Sequence, residues 1–520
     1  MHSYLFSPGA SQGSNSIRIR AKGAMLGLIT LLVVSLCPFP NLAAAATPHI
    51  YDAPNAGPPG SQTQTVGNGF DPNATLDIYL DSTDVGLVDT DNNGSFGMAL
   101  KAPTIRQNGL TIHIPKDAVP GQHWITAVER ITQLQAQVAF TVRADWPQFN
   151  FDAQHTGFNT YENVLSPATV GNLTWGWTYI TEFFTAPVVA NGMVYSSSLN
   201  DNVYALNADT GVQLWRYPTR MIQWTAPAVA NGLIYFSSDD SFYALNASTG
   251  VLRWKLEQGF ATTPAVANGV VYLGAGCNVY ALEGTTGAIL WTYKTQCIFG
   301  MDDGPAVANG VVYVSGTDSS LYTLDAATGA PLWKFTDANS NGFRSPVIAN
   351  GIVYALSGYC DLYALDANTG AFLWKYPTGY GQNDSSPAVA NGVVYIGATN
   401  GNLYALDAGT GVLLWTYTAG GGIGSSPAVA NGVVYVTSQD TNVYALDADT
   451  GALLWKWPLF EGSFASSPAV VNGMLYVNSG DGGHLYAFGL PKQQMAEKFS
   501  PPERPDPARL TADWHPPLKK

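Results

Sequence analysis

The chain has 520 residues, 54 of them glycine, with 12% aromatic and only 12% charged side chains; this suits a turn-rich β-protein with a large core and argues against disorder. A net charge of −14 at pH 7 argues against a nucleic-acid partner, whose phosphates need a basic patch. Four cysteines, Cys37, Cys277, Cys297 and Cys360, form no C-x-x-C pair, so zinc-ribbon, thioredoxin-type and c-type haem motifs are excluded.

Arg18, Arg20 and Lys22 precede an apolar run over 24–37, and small residues follow at 43–46. The run is too short to span a bilayer but has the length of a signal-peptide core. Residues 1–46 are therefore expected to be a removed signal peptide, which places the protein outside the cytoplasm, secreted or associated with the cell envelope. Cys37 suggests lipidation, but Leu36 stands where a small residue is expected. The chain's one G-x-S-x-G, GASQG at 9–13, falls in this leader and so lacks the strand-to-helix context of a nucleophile elbow. No later stretch has the length of a transmembrane helix.

Between 47 and 143, short alternating runs such as TLDIYL at 75–80 and VAFTV at 138–142 are separated by turn clusters (GPPG, DTDNNG, PG). That pattern predicts a small β-sandwich. The stretches GPPGSQTQTVGNG (57–69) and PGQHWITA (120–127) resemble immunoglobulin-like IPT/TIG modules, which implies a spacer or adhesion role. Asp89, Asp91 and Asn93 begin like a calcium loop, but position 100 is Leu where the EF-hand pattern needs Glu. A plain turn is the better reading.

The entry segment, 144–172, has aromatics, Pro and Gly with no clean period. DWPQFNFDAQHTG at 145–157 resembles the lead-in of quinoprotein-type propellers. His155 has no metal-ligand partner at useful spacing, and is read as a packed or turn histidine.

From 173 to 490 one unit recurs. Its proline stands at 187, 227, 264, 305, 346, 387, 427 and 468, and a tryptophan recurs at Trp215, Trp254, Trp291, Trp333, Trp374, Trp415 and Trp455. In the clearest copy, four strands can be read: 427–430, closed by Asn431-Gly432, then 433–437, 443–447 and 453–457. Asn-Gly is a strong hairpin signal, and four antiparallel strands per unit make a propeller blade. The eighth copy lacks a fourth strand. Trp175 precedes Pro187 by the same interval as Trp415 precedes Pro427, so 173–179 is expected to close the ring, with Trp175 as its docking tryptophan. The fold class is all-β: a small sandwich followed by an eight-bladed propeller closed by an N-terminal strand.

The recurring A-x-D/N-x-x-T-G-x-x-x-W, as at 405–415 and 364–374, resembles the docking motif of pyrroloquinoline-quinone (PQQ) repeat propellers. The resemblance covers about 320 residues. It implies two kinds of relative. One is PQQ- and calcium-dependent alcohol or sugar dehydrogenases; the other is non-catalytic propellers such as the lipoprotein of the outer-membrane protein assembly machinery. The dehydrogenases place adjacent cysteines over the cofactor, and no Cys-Cys dipeptide exists here. No catalytic, cofactor-binding or metal residue is assigned, and no cofactor is expected, PQQ with calcium being the alternative.

The loops entering the inner strands gather at one mouth of the channel. Two residues before each proline stand Thr185, Thr225, Thr262, Asp303, Arg344, Ser385, Ser425 and Ser466, with Asp302 and Asp384 close by. Asp303 and Arg344 break the hydroxyl pattern, as an inter-blade ion pair or as a ligand site. The same loops carry Phe184, Trp224, Phe260, Phe299, Phe343, Tyr380 and Phe464, which could clasp a ligand or fill the channel. The candidate ligand-binding set is Asp302, Asp303, Arg344, Asp384, Trp224, Phe184 and Phe343. Cys277 and Cys297 are a plausible disulfide in an oxidising compartment, leaving Cys360 over. The Pro-rich, charged stretch 491–520 is expected to be a disordered tail. The expected function is a monomeric scaffold that binds a protein, peptide or glycan; the alternative is a PQQ-dependent dehydrogenase.

Overall fold

A computed structural model describes residues 47–97, 110–181, 185–220, 225–239, 241–257, 262–297, 304–344, 346–379, 385–459, 466–480, 483–498 and 505. The leader, with Cys37, lies outside the described residues.

The first region contains β1 (His49–Ala53), β2 (Ala56–Gly57), β3 (Gln62–Asn68), β4 (Thr75–Leu80), β5 (Thr83–Asp89), β6 (Leu110–His113), β7 (Gly121–Glu129) and β8 (Gln135–Val142). They form two sheets, ordered β1-β3-β6 and β2-β8-β7-β4-β5. Ile50 and Ile112 of one sheet and Leu76, Ile78, Ile125 and Phe140 of the other share a single apolar cluster, as in two sheets packed face to face. The Asp91 carboxylate accepts the backbone N–H groups of Asn93 (2.8 Å) and Ser95 (2.9 Å), so it serves the turn.

Eight sheets follow among the described residues, over 188–218, 228–256, 265–294, 306–336, 347–377, 388–418, 428–458 and 469–489, each with four antiparallel strands, the seventh carrying a short parallel fifth strand as well. The last takes its outer strand from β10 (Thr174–Ile180), far upstream. Each innermost strand touches the innermost strands of both neighbouring sheets, first against last included, so the propeller ring is closed. Side chains stand in rows across each sheet. In one, Ala428 pairs Tyr435, Tyr435 pairs Ala445 and Ala445 pairs Trp455. Small residues near the axis and large ones outside let the sheets pack as wedges.

The sheets are held together by their tryptophans. Each indole Nε1 donates to a backbone carbonyl of the next sheet: Trp215 to Ala247, Trp254 to Gly284, Trp291 to Ala326, Trp333 to Ala367, Trp374 to Ala408 and Trp415 to Ala448, at 2.8–3.2 Å. The glycine of the next sheet's T-G pair lies flat on the ring. A Cβ on Gly451 would stand 2.6 Å from the Trp415 indole.

In the closing strand this role falls to Trp177, not Trp175. Trp177 is buried and donates to Ala208 O at 2.9 Å, whereas Trp175 is 55% exposed and its indole donates to Thr178 Oγ1. The pairing slips between the two, Trp175 facing Phe488 and Trp177 facing Ala487. In the preceding sheet the same slip places Leu453 and Trp455. Trp175 thus occupies the site of the exposed Leu453, and Trp177 stands 10 residues before Pro187 where Trp415 stands 12 before Pro427. Counting back from the proline overlooks that difference.

The stretch after the propeller, expected to be disordered, opens with α1 (Lys492–Lys498). Met495 packs against the cluster that includes Leu490, and Pro505 O accepts Gln137 Nε2 at 2.9 Å. The rest of that stretch lies outside the described residues. No helix among the described residues is long and apolar enough to cross a membrane.

Candidate functional site

The inner strands are three residues long, and each pairs with its own sheet on one side and turns its other edge toward the axis. Buried amides left there would each cost free energy. The segment 146–159 meets them, sheet by sheet. Trp146 exchanges backbone hydrogen bonds with Val189 at 2.6 and 2.7 Å. Pro147 O accepts Val229 N (2.7 Å), and the Gln148 amide both accepts Val266 N (2.9 Å) and donates to Val266 O (3.3 Å). Ala153 O, Gln154 O, Thr156 O and Gly157 O accept the N–H groups of Val307, Ile348, Val389 and Val429 at 2.6–3.0 Å. The short strand β9 (Phe158–Asn159) adds to the seventh sheet, and Asn159 Nδ2 reaches Val470 O of the eighth at 2.8 Å. The entry segment is a plug that bonds to all eight sheets in chain order.

So tight a curl needs unusual backbone. Asn150, Phe151 and His155 adopt positive φ. At Gly157 a Cβ would fall 2.8 Å from Ala388 Cβ and 2.9 Å from Pro427 O, so only glycine fits. Asp152 ties the curl by accepting Gln154 N, Thr156 N and Thr156 Oγ1 at 2.7–3.1 Å. His155 is wholly buried, edge-on to Phe149. Burial, only partly offset by the backbone of Pro346, pushes its pKa down to about 4.

The plug enters from the face that carries the Asn-Gly turns. The sandwich and the linker are fixed on that side. Ala144 exchanges two 2.9 Å bonds with the Asn472 side chain, Arg143 Nη2 donates to Asn191 Oδ1 at 2.9 Å, and Asn163 Nδ2 donates to Ala118 O at 2.8 Å. The described residues just before the prolines lie at the opposite ends of the inner strands.

At those ends, the loop face, the recurring hydroxyls are part of the scaffold. Thr185, Thr262, Ser385, Ser425 and Ser466 each accept the backbone N–H of the residue 12 positions on, namely Ser197, Gly274, Gly397, Thr437 and Asn478, at 2.9–3.2 Å. Neighbouring sheets are also joined: Ser386 N donates to Ser426 Oγ at 3.0 Å and Ser426 N to Ser467 Oγ at 2.9 Å. Asn478 Nδ2 bonds to Thr185 O across the last and first sheets.

Of the candidate ligand residues, Asp302, Asp303, Asp384, Phe184 and Trp224 lie outside the described residues, as do Phe260, Phe299, Tyr380 and Phe464. Arg344 is partly exposed, with its backbone N–H on Leu356 O at 2.8 Å. Phe343 is not a rim residue. It is 5% exposed and packs edge-on against Tyr363 with ring centroids 5.2 Å apart, so it belongs to the core between two sheets and cannot meet a ligand. Cys277 and Cys297 form a disulfide with a Cα–Cα distance of 5.5 Å, and Cys360 is a buried thiol. Among the described residues no three His, Cys, Asp or Glu side chains are grouped so as to hold a metal ion. The carboxylate set that a calcium–quinone site requires is therefore not supplied by them.

The plug was the feature that local sequence signals missed. Its residues have no helix or strand period because they are spaced to meet eight sheet edges. Their one signal is the density of Asn, Asp and Gly, residues that tolerate positive φ.

The family described as "Outer membrane protein assembly factor BamB" matches residues 163–264, 255–420 and 400–490, together more than half of the chain. No curated protein matches. Among solved structures, the fold is similar to a europium-containing methanol dehydrogenase (TM-score 0.59, 16% identity, 66% of this chain and 98% of that one). It is also similar to BamB from Moraxella catarrhalis (TM-score 0.51, 20% identity, 61% and 99%). A third is a quinohemoprotein alcohol dehydrogenase from Comamonas testosteroni (TM-score 0.55, 18% identity, 66% and 80%). At these identities the likeness is one of fold.

Proposed function

Since the chain belongs to the family of outer membrane protein assembly factor BamB, we propose that it is an extracytoplasmic binding protein whose rigid propeller presents loops to a protein partner. The family match is the observation that carries this reading. The distribution of chemistry in the ring supports it. The repeated hydroxyls, tryptophans and glycines are used inside the fold, so selection of a partner falls to the positions in which the copies differ. Those are the loop-face positions, Asp302, Asp303, Arg344, Asp384, Trp224 and Phe184. In this reading residues 1–46 export the chain to the cell envelope, the sandwich is an immunoglobulin-like IPT/TIG spacer, the protein is a monomer, and peptides or glycans are further partner classes.

The experiment is photocrosslinking in the native envelope from probes at Trp224, Arg344 and, for comparison, at Leu214 and Leu414, which are exposed on outermost strands at the outer rim of the ring. Defined protein adducts from the loop-face probes alone are the expected result. Adducts from the rim alone would reject the loop face. Reconstitution with PQQ and calcium checks the alternative suggested by the dehydrogenase-like fold: stoichiometric quinone binding with dye-linked alcohol or sugar oxidation would replace the scaffold reading.

A further inference from the structure

We propose that the cleft between the sandwich and the plugged end of the channel binds a neutral oligosaccharide. This goes beyond the loop-face reading and uses the opposite side of the ring. The cleft holds about 760 Å³ and lies between residues 56–58 of the sandwich, the linker residues Arg143 and Asp145, Asn191 of the first sheet, and the outer surface of the plug. Clefts of roughly 300–1,000 Å³ between domains are the usual site of organic ligands.

The walls are already in place. The Ala144–Asn472 and Arg143–Asn191 bonds fix the linker on the propeller, and Asp145 accepts Asn191 N at 3.0 Å. A ligand therefore pays little for ordering the site.

The chemistry of the lining selects the ligand. Tyr161 is 41% exposed, and its ring lies 6.4 Å from that of Phe151, so an aromatic face is held open to solvent at the cleft. Beside it, Arg143 and Asp145 stand 3.7 Å apart, and Asn191 and Gln154 are exposed. An apolar ligand would strip water from the donors and acceptors that these groups still turn to solvent, at about 1–3 kcal/mol for each one so lost. An anion would face the carboxylates of Asp145 and Asp152, and a cation the guanidinium of Arg143. A neutral polyol fits all of them, since each hydroxyl both donates and accepts. A sugar ring adds an apolar C–H face for the Tyr161 ring.

The test titrates the full chain with cellotetraose, chitotetraose and maltotetraose, each to about 10 mM, with binding read by calorimetry and protein NMR. Saturable binding of at least one is expected, weakened at least about tenfold by Tyr161→Ala or by Gln154→Ala, in variants whose thermal unfolding matches that of the parent. Asp145→Asn should weaken it also by removing an acceptor. No binding of any of the three, or binding unchanged in both Tyr161→Ala and Gln154→Ala, would overturn the proposal. Neither result bears on the loop-face partner, which is read by crosslinking on the other side of the ring.

Discussion

The indole Nε1 of Trp455 donates to the carbonyl oxygen of Leu173 at 3.1 Å, across 282 residues of chain. Elsewhere the docking carbonyl lies in the next sheet's own turn, as for Trp415 and Ala448. At the seam that turn is absent, because the last sheet's third strand ends the propeller and its fourth begins it. Tyr435 shows the same break. Its equivalents, such as Tyr395 and Tyr476, donate to Ala448 O and Ala208 O, while the buried Tyr435 hydroxyl has no such carbonyl. Trp455→Ala is expected to cost about 3–5 kcal/mol in denaturant unfolding. Trp175→Ala should stay within about 0.5 kcal/mol, and Trp177→Ala should behave like Trp455→Ala. Equal effects at 175 and 177 would contradict the docking assignment.

Gly451 and Gly192 both adopt positive φ, 71° and 72°, but only Gly451 lies against an indole, and a Cβ at Gly192 would meet nothing within 4 Å. Gly192→Ala is expected to cost about 1–2 kcal/mol, the left-handed backbone penalty alone. Gly451→Ala should cost about 1–3 kcal/mol more, because the Trp415 ring must move. Matched unfolding curves measure the difference.

Gln148→Leu removes the side chain that completes the third sheet's edge. It leaves Val266 N–H and C=O, both now bonded to the Gln148 amide, without partners. An expected loss of about 2–4 kcal/mol follows from two orphaned backbone groups. Hydrogen exchange should show the gain in exposure at Val266 first.

His155 gives the protein an acid limb. Its pKa is about 4 in the folded chain against an ordinary 6.5, so the unfolded chain takes up the proton first. The stability contributed by neutral His155 is full above 6.5 and is lost as pH falls through 4, roughly 3 kcal/mol in all. Asp52 acts in the opposite sense. Burial raises its carboxyl to about 6 from 3.8, and its contribution is full below 3.8 and lost as pH rises through 6. His155→Gln should flatten the acid limb and leave the Asp52 limb in place, as read by unfolding midpoints across that range.

Reducing the Cys277–Cys297 disulfide, which closes a loop of 20 residues, is expected to cost about 3 kcal/mol by the chain-entropy estimate. Cys360, 2% exposed, should resist alkylation until the ring unfolds. Intact mass before and after denaturation distinguishes the two.

The sequence by itself determined the repeat, the strands to within about a residue at their ends, and the closure by an N-terminal strand. Those rest on local rules: Asn-Gly specifies a hairpin, four short strands recur in each unit, and a missing fourth strand implies one borrowed from the other end. Tertiary structure decided what lies on the axis and which of two tryptophans docks. Trp175 and Trp177 differ only by a slip in pairing with a strand over 300 residues away. Phe343 left the candidate rim because its Tyr363 contact belongs to another strand of the ring. The plug bonds once or twice to each sheet, from Val189 to Val470. Such single contacts, made only after the ring has closed, leave no period in the sequence.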